Sequence, residues 1–368
     1  MRLRVLALPG DGVGPEVTAQ ALAVLERVAA VFGHELEAER RAIGGEAIAT
    51  TGVPLPEDTA RAAEEAPATL LGAVGLPAYD HLPPEGRPER GLLDLRQRLG
   101  VFANLRPSRT WPSLLDASPL KAAVVDGTDL VFVRELTSGL YYGTPRGVSG
   151  AGPGERGVNT MTYSRAEIER VARVAFELAR ARRRRVTSVD KSNVLETSQL
   201  WRRVVSEVGR DYADVALGHM YVDNCAMQVV LDPRQFDVVL TENLFGDILS
   251  DEAAVLAGSI GMLASASVGT QTGATPDGRP VRRGLYEPVH GSAPDLAGQG
   301  RANPLGAIGS AAMLLEYSFG LRREAAAVSR AIDAVVASGR VTADLRPPGP
   351  PATTAAVGRA VCDAIADD

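Results

Sequence analysis

The 368-residue sequence is poor in the residues that build disulfide frameworks and histidine-rich metal sites. Its two cysteines, Cys225 and Cys362, are too few for a disulfide scaffold or a CxxC metal motif. The four histidines form neither an HxxxH nor an HExxH pair, which argues against a histidine-based zinc site. No run of about 18 apolar residues occurs, and the N-terminus reads as a strand rather than a signal peptide. These absences predict a cytoplasmic protein without a membrane segment.

Excess positive charge is also missing. The formal net charge is -6, so general attraction to nucleic acid is not expected, and the basic run 182–185 is interpreted as a solvated helix end. Of the 39 lysine and arginine residues, only Lys121 and Lys191 are lysines. A lysine can lose its proton and act as a base, whereas arginine stays protonated. Lys191, in the polar segment SVDKSNV, is therefore a candidate functional residue.

Short β-branched runs alternate with longer amphipathic stretches, which favours an α/β fold with a mostly parallel sheet. The glycine-rich segment LPGDGVGPE fits neither the dinucleotide-binding nor the P-loop motif, so a Rossmann fold is not predicted. Residues 144–162 are expected to form an extended arm and residues 269–284 an exposed loop. Strands are predicted at 3–10, 69–75, 120–127, 129–136, 185–190, 214–223 and 236–243, and helices at 15–33, 165–184, 198–209 and 303–320.

The acidic segment TENLFGDILSDEAA carries the strongest chemical signal. Asp247 and Asp251 are four residues apart, so both carboxylates project from one helix face. Oxygen ligands of this kind suit Mg²⁺ or Mn²⁺, although a solvated acidic face has the same spacing. Asp223 is a third candidate carboxylate, although an aspartate at such a place is by itself more often a helix N-cap.

Three arginines are candidate carboxylate ligands, because a guanidinium can bind a carboxylate through two hydrogen bonds. They are Arg96, Arg106 and Arg134, each of which would by itself also suit a protein surface. Arg134 follows an apolar run at a predicted strand end, where sheet proteins place functional groups. Tyr141, just beyond that strand, is a candidate proton donor or a packing residue. The polar stretch 287–304 could hold a nucleotide through its backbone amides, or be simply a loop.

Seven segments occur in an order that resembles the β-decarboxylating dehydrogenase family. They are LPGDGVGPE, GLLDLRQRLGVFANLRP, VRELTSGLYYGTPRG, VDKSNVLE, MYVDNCAMQ, FGDILSDEAA and EPVHGSAPDLAG. The resemblance covers nearly the whole chain. It implies the isopropylmalate/isocitrate dehydrogenase-like two-domain α/β fold, with a cofactor-side domain at 1–101 and 258–368. The second domain, 102–257, would carry the dimer contacts and metal ligands, with an intersubunit arm at about 144–162.

The resemblance also implies roles for the candidate residues in a homodimer with shared active sites. Arg96, Arg106 and Arg134 would bind substrate carboxylates. Asp247 and Asp251 of one subunit would hold Mg²⁺ or Mn²⁺ together with Asp223 of the other, which also meets the substrate. Lys191, contributed across the dimer, would be the general base and Tyr141 the general acid.

NAD is the implied redox cofactor. Asp295 matches a position that contacts the adenosine ribose, where a carboxylate accepts hydrogen bonds from ribose hydroxyls and repels a 2'-phosphate. NADP-dependent relatives have lysine and tyrosine where this chain has Asp295 and Leu296. The other matched cofactor positions are Val13, Glu287, His290, Gly291, Ser292, Ala293 and Asn303.

Leu92 and Leu93, with Val194 of the neighbouring subunit, match an apolar pocket for an isopropyl group. Burial of that group contributes roughly 2 kcal/mol, whereas a carboxylate against leucines is penalised. The expected activity is therefore oxidative decarboxylation of 3-isopropylmalate to 4-methyl-2-oxopentanoate and CO₂, in leucine biosynthesis. Departures at Leu76, Ala78 and Ala264 keep other substrates open, namely another 3-alkylmalate, tartrate or malate. A non-catalytic metabolite-binding protein is a remote alternative.

Overall fold

The computed structural model describes residues 1–276, 278 and 280–367, which divide into two compact units. Unit 1 comprises Met1–Val101, Thr110–Ala122 and the chain from Ala257 onward. Unit 2 comprises Phe102–Arg109 and Ala123–Leu256. Residues 110–122, expected in the second domain, lie in unit 1, where the indole of Trp111 donates to Asp333 (2.8 Å). The cofactor-side and dimerisation roles expected of the two domains stay predictions.

Unit 1 contains five neighbouring strands, of which the central one is fully buried. Its strands run in the order β2–β1–β3–β12–β11, all neighbours being parallel except the antiparallel pair β11–β12. The sequence of β3 is apolar except for Thr69, and all its residues are buried because parallel strands are covered on both faces. The strands, numbered along the whole chain, are β1 (Arg2–Gly10), β2 (Glu35–Arg40), β3 (Ala68–Ala73), β11 (Ala264–Ala274) and β12 (Pro280–Pro288).

The prediction of an exposed loop over 269–284 is wrong for most of that stretch. β11 continues to Ala274, β12 begins at Pro280, and Gln271 pairs with Arg282. Threonine at 270 and 272 favours extended backbone, and two register shifts in β11 accommodate the glycines of this segment. Residues 277 and 279 of the expected loop lie outside the described residues.

Helix α1 (Gly14–Phe32) packs its apolar face on the C-terminal helices of unit 1. Val17, Ala21, Val24 and Val28 recur at helical spacing and are fully buried. Gly33, with φ of 70°, ends the helix in the left-handed conformation that glycine favours. The remaining helices of unit 1 are α2 (Gly45–Thr51), α3 (Glu57–Glu65), α4 (Pro88–Leu99), α10 (Leu305–Phe319), α11 (Arg322–Ala337) and α12 (Thr354–Ala364).

Unit 2 contains five neighbouring strands and a short exposed hairpin. The strand order is β4–β5–β10–β8–β9, with β4 antiparallel to β5 and the other neighbours parallel. The hairpin pairs β6 with β7 and lies within the expected arm, 144–162. The strands are β4 (Ala103–Arg109), β5 (Asp129–Glu135), β6 (Gly147–Ser149), β7 (Arg156–Val158), β8 (Arg185–Asp190), β9 (Ala216–Tyr221) and β10 (Val238–Thr241).

The strand predicted at 120–127 is also wrong, because Ala122–Val125 forms the short helix α5. Its two alanines favour helix, and Gly127, with φ of 75°, turns the chain after it. The basic run after α6 is held by carboxylates: Asp237, which is buried, accepts from Arg182 Nε (2.8 Å). The helices of unit 2 beyond α5 are α6 (Arg165–Arg180), α7 (Glu196–Gly209), α8 (Val222–Leu231) and α9 (Asn243–Ala254). Within the described ranges, no helix is both long and apolar enough to cross a membrane.

Candidate functional site

The parallel pair β5–β10 brings Arg134 to the start of α9. Thr241, the last residue of β10, lies opposite Arg134 in the register. Glu242 then caps α9 by accepting a hydrogen bond from the backbone N–H of Phe245 (2.9 Å). The first turns of α9 therefore face the end of β5.

Arg134 is almost completely buried, with 1% of its surface exposed. Its Nε and Nη2 donate to Oδ1 of Asn243 (3.1 and 2.7 Å), and its Nη1 donates to Oδ1 of Asp247 (2.5 Å). Asn243 in turn donates to the backbone carbonyl of Ser138 (3.0 Å). A buried guanidinium is thus compensated by hydrogen bonds and by a carboxylate.

Tyr141 contacts the second carboxylate oxygen of Asp247. Its hydroxyl donates to Oδ2 of Asp247 (2.6 Å). Burial, reinforced by this hydrogen bond, raises the pKa of Tyr141 to about 12. The phenol therefore stays protonated at neutral pH, which a proton donor requires.

Arg106, in the middle of β4, contacts both aspartates of α9. Its Nη1 donates to Ser250 Oγ (2.8 Å) and Asp251 Oδ1 (3.1 Å), and its Nη2 lies 3.5 Å from Asp247 Oδ1. Burial raises the pKa of Asp251, with Arg106 opposing this shift and the like charge of Asp247 adding to it. Asp247 and Asp251 therefore lie on one helix face, as their spacing predicts.

Among the residues that the structure describes, no three His, Cys, Asp or Glu side chains are grouped closely enough to hold a metal ion. Within this chain Asp247 and Asp251 converge, whereas Asp223 pairs with Lys191. One chain thus offers two carboxylates at this place on α9.

Lys191 and Asp223 follow neighbouring parallel strands, β8 and β9. The Lys191 Nζ donates to Asp223 Oδ1 (2.5 Å), and this contact lowers the pKa of Asp223. The Lys191 side chain is 28% exposed. Val194, in the same loop, is 60% exposed and has its apolar side chain largely in solvent.

In unit 1, the segment LPGDGVGPE packs against the loop that follows β12. The backbone N–H of Val13 donates to the carbonyl of Ser292 (2.8 Å), and a Cβ at Gly12 would lie 1.9 Å from that oxygen. Buried Asp11 accepts from the backbone N–H groups of Gly45 (2.9 Å) and Gly75 (2.8 Å). The glycines therefore allow close backbone packing, and the carboxylate fixes the surrounding turns.

Glu287, His290 and Asn303 are each held inside unit 1. Glu287 accepts from Arg96 Nη2 (2.6 Å), and both side chains are buried. His290 Nδ1 lies 2.8 Å from the carbonyl of Gly291, its Nε2 is buried without a hydrogen-bond partner, and burial lowers its pKa. Asn303 accepts from the N–H of Leu305 at the start of α10 (3.0 Å).

Asp295 lies exposed in a short 3-10 turn, Pro294–Leu296, that follows Ala293 in left-handed conformation (φ 38°). Glu16 of α1 fastens the chain just beyond this turn, accepting from the backbone N–H groups of Gly298 (2.5 Å) and Gly300 (3.0 Å). The turn is thus presented at the surface by an anchored loop.

Leu92 and Leu93 lie on α4 and are partly exposed, whereas Leu95 and Leu99 of the same helix are buried. The glycine before them, Gly91, packs so closely that a Cβ would be 2.6 Å from the Pro54 carbonyl oxygen. α4 therefore buries one face in unit 1 and leaves the two leucines available.

The chain belongs to a family of dehydrogenases. The sequence model described as Isocitrate/isopropylmalate dehydrogenase matches residues 4–361, which confirms the expected family. This chain is 53% identical over 366 residues to the 3-isopropylmalate dehydrogenase of Halalkalibacterium halodurans, and the alignment covers 99% of this chain and 98% of that protein. It is 56% identical over 343 residues to the 3-isopropylmalate dehydrogenase of Synechococcus sp. strain JA-3-3Ab, covering 93% and 87%.

A solved structure supports the fold. The crystal structure of isocitrate dehydrogenase from Methylococcus capsulatus superposes with a TM-score of 0.85 and 34% identity, covering 99% of both chains. The predicted α/β fold of the isopropylmalate/isocitrate dehydrogenase type is thereby confirmed.

Proposed function

We propose that this protein oxidises and decarboxylates 3-isopropylmalate with NAD⁺ and Mg²⁺ or Mn²⁺, giving 4-methyl-2-oxopentanoate and CO₂ for leucine biosynthesis in the cytoplasm. The observation that carries the proposal is that more than half of the aligned residues are identical to those of proteins named 3-isopropylmalate dehydrogenase, over nearly the full length of the chain. Identity to the isocitrate dehydrogenase of Methylococcus capsulatus is only 34%. The partly exposed Leu92 and Leu93 further favour an alkyl substituent over the additional carboxylate of isocitrate.

The acid and base assignments follow from the chemistry. Lys191 of the partner subunit takes the proton of the C2 hydroxyl as that carbon is oxidised. Arg106 and Arg134 supply guanidinium groups for substrate carboxylates, and Arg96 is assigned the same role on the motif match alone. When the bond between C3 and its carboxylate breaks, its electron pair forms an enolate, and CO₂ leaves. Tyr141 then protonates C3.

The donor set on α9 fits a hard divalent cation. Asp247 and Asp251 are both oxygen donors on one face of α9, and cation binding would relieve the repulsion that contributes to the raised pKa of Asp251. We assign the third carboxylate to Asp223 of the partner subunit. The bound cation would lower the pKa of the C2 hydroxyl, and the nicotinamide would supply the hydride acceptor.

For the dinucleotide, unit 1 offers an exposed carboxylate and a buried histidine nitrogen without a partner, at Asp295 and His290 Nε2. We assign Asp295 to the ribose hydroxyls, which favours NAD⁺ over NADP⁺ because a 2'-phosphate would be repelled. Val13, Glu287, the segment 291–293, Leu296 and Asn303 complete the proposed cofactor contacts.

The proposed homodimer is supported by apolar side chains that unit 2 leaves exposed. Met227 and Leu231 on α8 are 56% and 65% exposed, and Ile248 on the adjoining α9 is 59% exposed. Large exposed apolar side chains on two packed helices are typical of an interface. Val194 and the hairpin β6–β7 are also exposed, as residues expected to serve a neighbouring site would be in one chain alone.

The test is NADH formation with 3-isopropylmalate, isocitrate, homoisocitrate, tartrate and malate, each with NAD⁺ and NADP⁺ and with Mg²⁺ or Mn²⁺. We expect kcat/KM to be highest for 3-isopropylmalate with NAD⁺. A higher value for isocitrate or tartrate would overturn the substrate assignment. Absence of turnover with the whole panel, while 3-isopropylmalate still binds in calorimetry, would favour the non-catalytic alternative.

A further inference from the structure

Arg202 of α7 connects the ends of the two strands that carry Lys191 and Asp223. It contacts Asp190, the last residue of β8, and Tyr221, the last residue of β9. We propose that Arg202 is a positioning residue that holds the Lys191–Asp223 pair in its geometry. This inference rests on the proposed function, in which Lys191 is the base and Asp223 a metal and substrate ligand.

The contact with Asp190 uses two N–H groups on one edge of the guanidinium. Arg202 Nε donates to Asp190 Oδ2 (2.8 Å) and Nη2 donates to Oδ1 (3.1 Å). Asp190 is 1% exposed, so its carboxylate depends on these partners for compensation. A bidentate pair fixes orientation as well as distance, which a lysine at position 202 would not reproduce.

Asp190 transmits this orientation to the turn that contains Lys191. Its Oδ1 also accepts from the backbone N–H of Ser192 (2.9 Å). The Lys191 carbonyl accepts from the N–H groups of Val194 and Leu195 (both 3.0 Å), which closes the turn. The carboxylate therefore holds the residues on both sides of Lys191.

The second contact reaches the strand that leads to Asp223. The Arg202 guanidinium carbon lies 5.1 Å from the centroid of the Tyr221 ring, within the range of a cation–π interaction. Tyr221 lies opposite Asp190 in the β8–β9 register and is the N-cap of α8, two residues before Asp223. One guanidinium thus contacts the last residues of both strands. Lys191 and Asp223, whose Nζ and Oδ1 form a hydrogen bond, follow these strand ends in the sequence.

The chain contains a matched control for this arrangement. Arg180 of α6 binds Asp214 through Nε (2.9 Å) and Nη2 (2.6 Å), and its guanidinium lies 4.4 Å from the Tyr212 ring. This trio has the same chemistry but adjoins no proposed site residue in sequence. Asp214 is more exposed than Asp190, so Arg180→Met reports the effect of losing the same kind of contact at the surface.

We expect Arg202→Met to lower kcat with 3-isopropylmalate by about 10–100-fold, the usual effect of losing an outer-shell partner. KM for NAD⁺ should not change, because the proposed cofactor residues lie in unit 1. Arg202→Lys should recover only part of kcat, since it restores the charge without the fork. Arg180→Met should keep wild-type kcat. Thermal unfolding of each variant establishes the temperature range in which that variant is folded, and kcat is compared within this range. Wild-type kcat in folded Arg202→Met would overturn the inference.

A second readout does not depend on activity. Because Lys121 and Lys191 are the only lysines, reductive methylation with carbon-13 formaldehyde gives two lysine side-chain signals in NMR, assigned with Lys121→Arg. We expect Arg202→Met and Asp223→Asn to shift the Lys191 signal and Arg180→Met to leave it in place. An unmoved signal in folded Arg202→Met would contradict positioning. If 3-isopropylmalate is not a substrate but the signal still shifts, the proposed function fails while the positioning of Lys191 stands.

Discussion

Gly246 of α9 lies directly against Arg134 of β5, so closely that a Cβ at position 246 would come within 2.7 Å of Arg134 Cγ. The same atom would lie 2.3 Å from Thr241 Oγ1. We therefore expect Gly246→Ala to displace Arg134 and reduce kcat/KM, with about 1–3 kcal/mol lost from the free energy of unfolding through overpacking. Gly349→Ala, where a Cβ meets nothing within 4 Å, is the control. Unchanged kinetics and stability in Gly246→Ala would show that the helix yields without disturbing Arg134.

Tyr141→Phe removes the hydroxyl that donates to Asp247. We expect kcat to fall by about 10²–10⁴-fold, the range for loss of a general acid, because C3 would have no positioned proton donor. With a pKa of about 12, Tyr141 should cause no inflection in the pH–rate profile between neutral pH and pH 10. Steady-state rates across this range, with Tyr142→Phe as control, test both expectations. Near-normal turnover in Tyr141→Phe would remove Tyr141 from the mechanism.

Metal removal should abolish turnover reversibly. We expect a chelator to stop NADH formation and Mg²⁺ or Mn²⁺ to restore it. Asp251→Asn should raise the Mg²⁺ concentration for half-maximal rate by at least about tenfold, because it removes a proposed charged ligand. Glu252→Gln, at the next residue of α9, makes the same kind of change away from the paired carboxylates. Equal metal dependence in both variants would exclude Asp251 as a ligand.

Buried Glu242 should make stability depend on pH. Burial raises its pKa above the ordinary value of 4.5, so over the window just above that value the folded state binds more protons than the unfolded state. Its contribution to the unfolding free energy is therefore present below the unfolded pKa and is lost as pH rises through the folded pKa. Relative to wild type, Glu242→Gln should gain stability with rising pH, measured by denaturant unfolding. A constant difference across that range would contradict the raised pKa.

Asp295→Lys should shift cofactor preference towards NADP⁺. Replacing an exposed carboxylate by an ammonium removes repulsion of the 2'-phosphate and adds attraction. We expect the NADP⁺/NAD⁺ ratio of kcat/KM to rise at least about tenfold, or ~1.4 kcal/mol. Asp363→Lys makes the same charge change on the exposed end of α12. A ratio that moves equally in both variants would show a general charge effect instead of a ribose contact.

Sequence periodicity predicts those elements of this fold that have a continuous apolar pattern. The helices at 15–33 and 198–209 are confirmed, because their buried faces repeat at helical spacing. The segment 120–127 shows the limit of the method: its Ala and Val residues suit either state, and it has too few residues for periodicity to decide. Strand β2 was missed because its residues are mostly exposed and polar, so its pairing with β1 leaves little pattern in the sequence.

At the site, residue types and spacing indicated the charged groups but not the residues that orient them. Asp247 and Asp251 could be placed on one face because a helix has a fixed period. Asn243, which holds Arg134 through two hydrogen bonds, went unnoticed because an amide after a strand is common. Arg202 was missed too, since its partners Asp190 and Tyr221 come together only through the pairing of β8 with β9.

The hydrogen bonds from Gly298 and Gly300 to Glu16 have a consequence for the order in which this protein matures. Glu16 and Gly298 are 282 positions apart, yet both belong to unit 1. During synthesis the chain is made from the N-terminus, so the turn bearing Asp295 cannot acquire its anchored form until nearly the whole polypeptide has left the ribosome. All residues of unit 2 are synthesised before Ala257, so unit 2 can fold before the C-terminal part of unit 1 has been made.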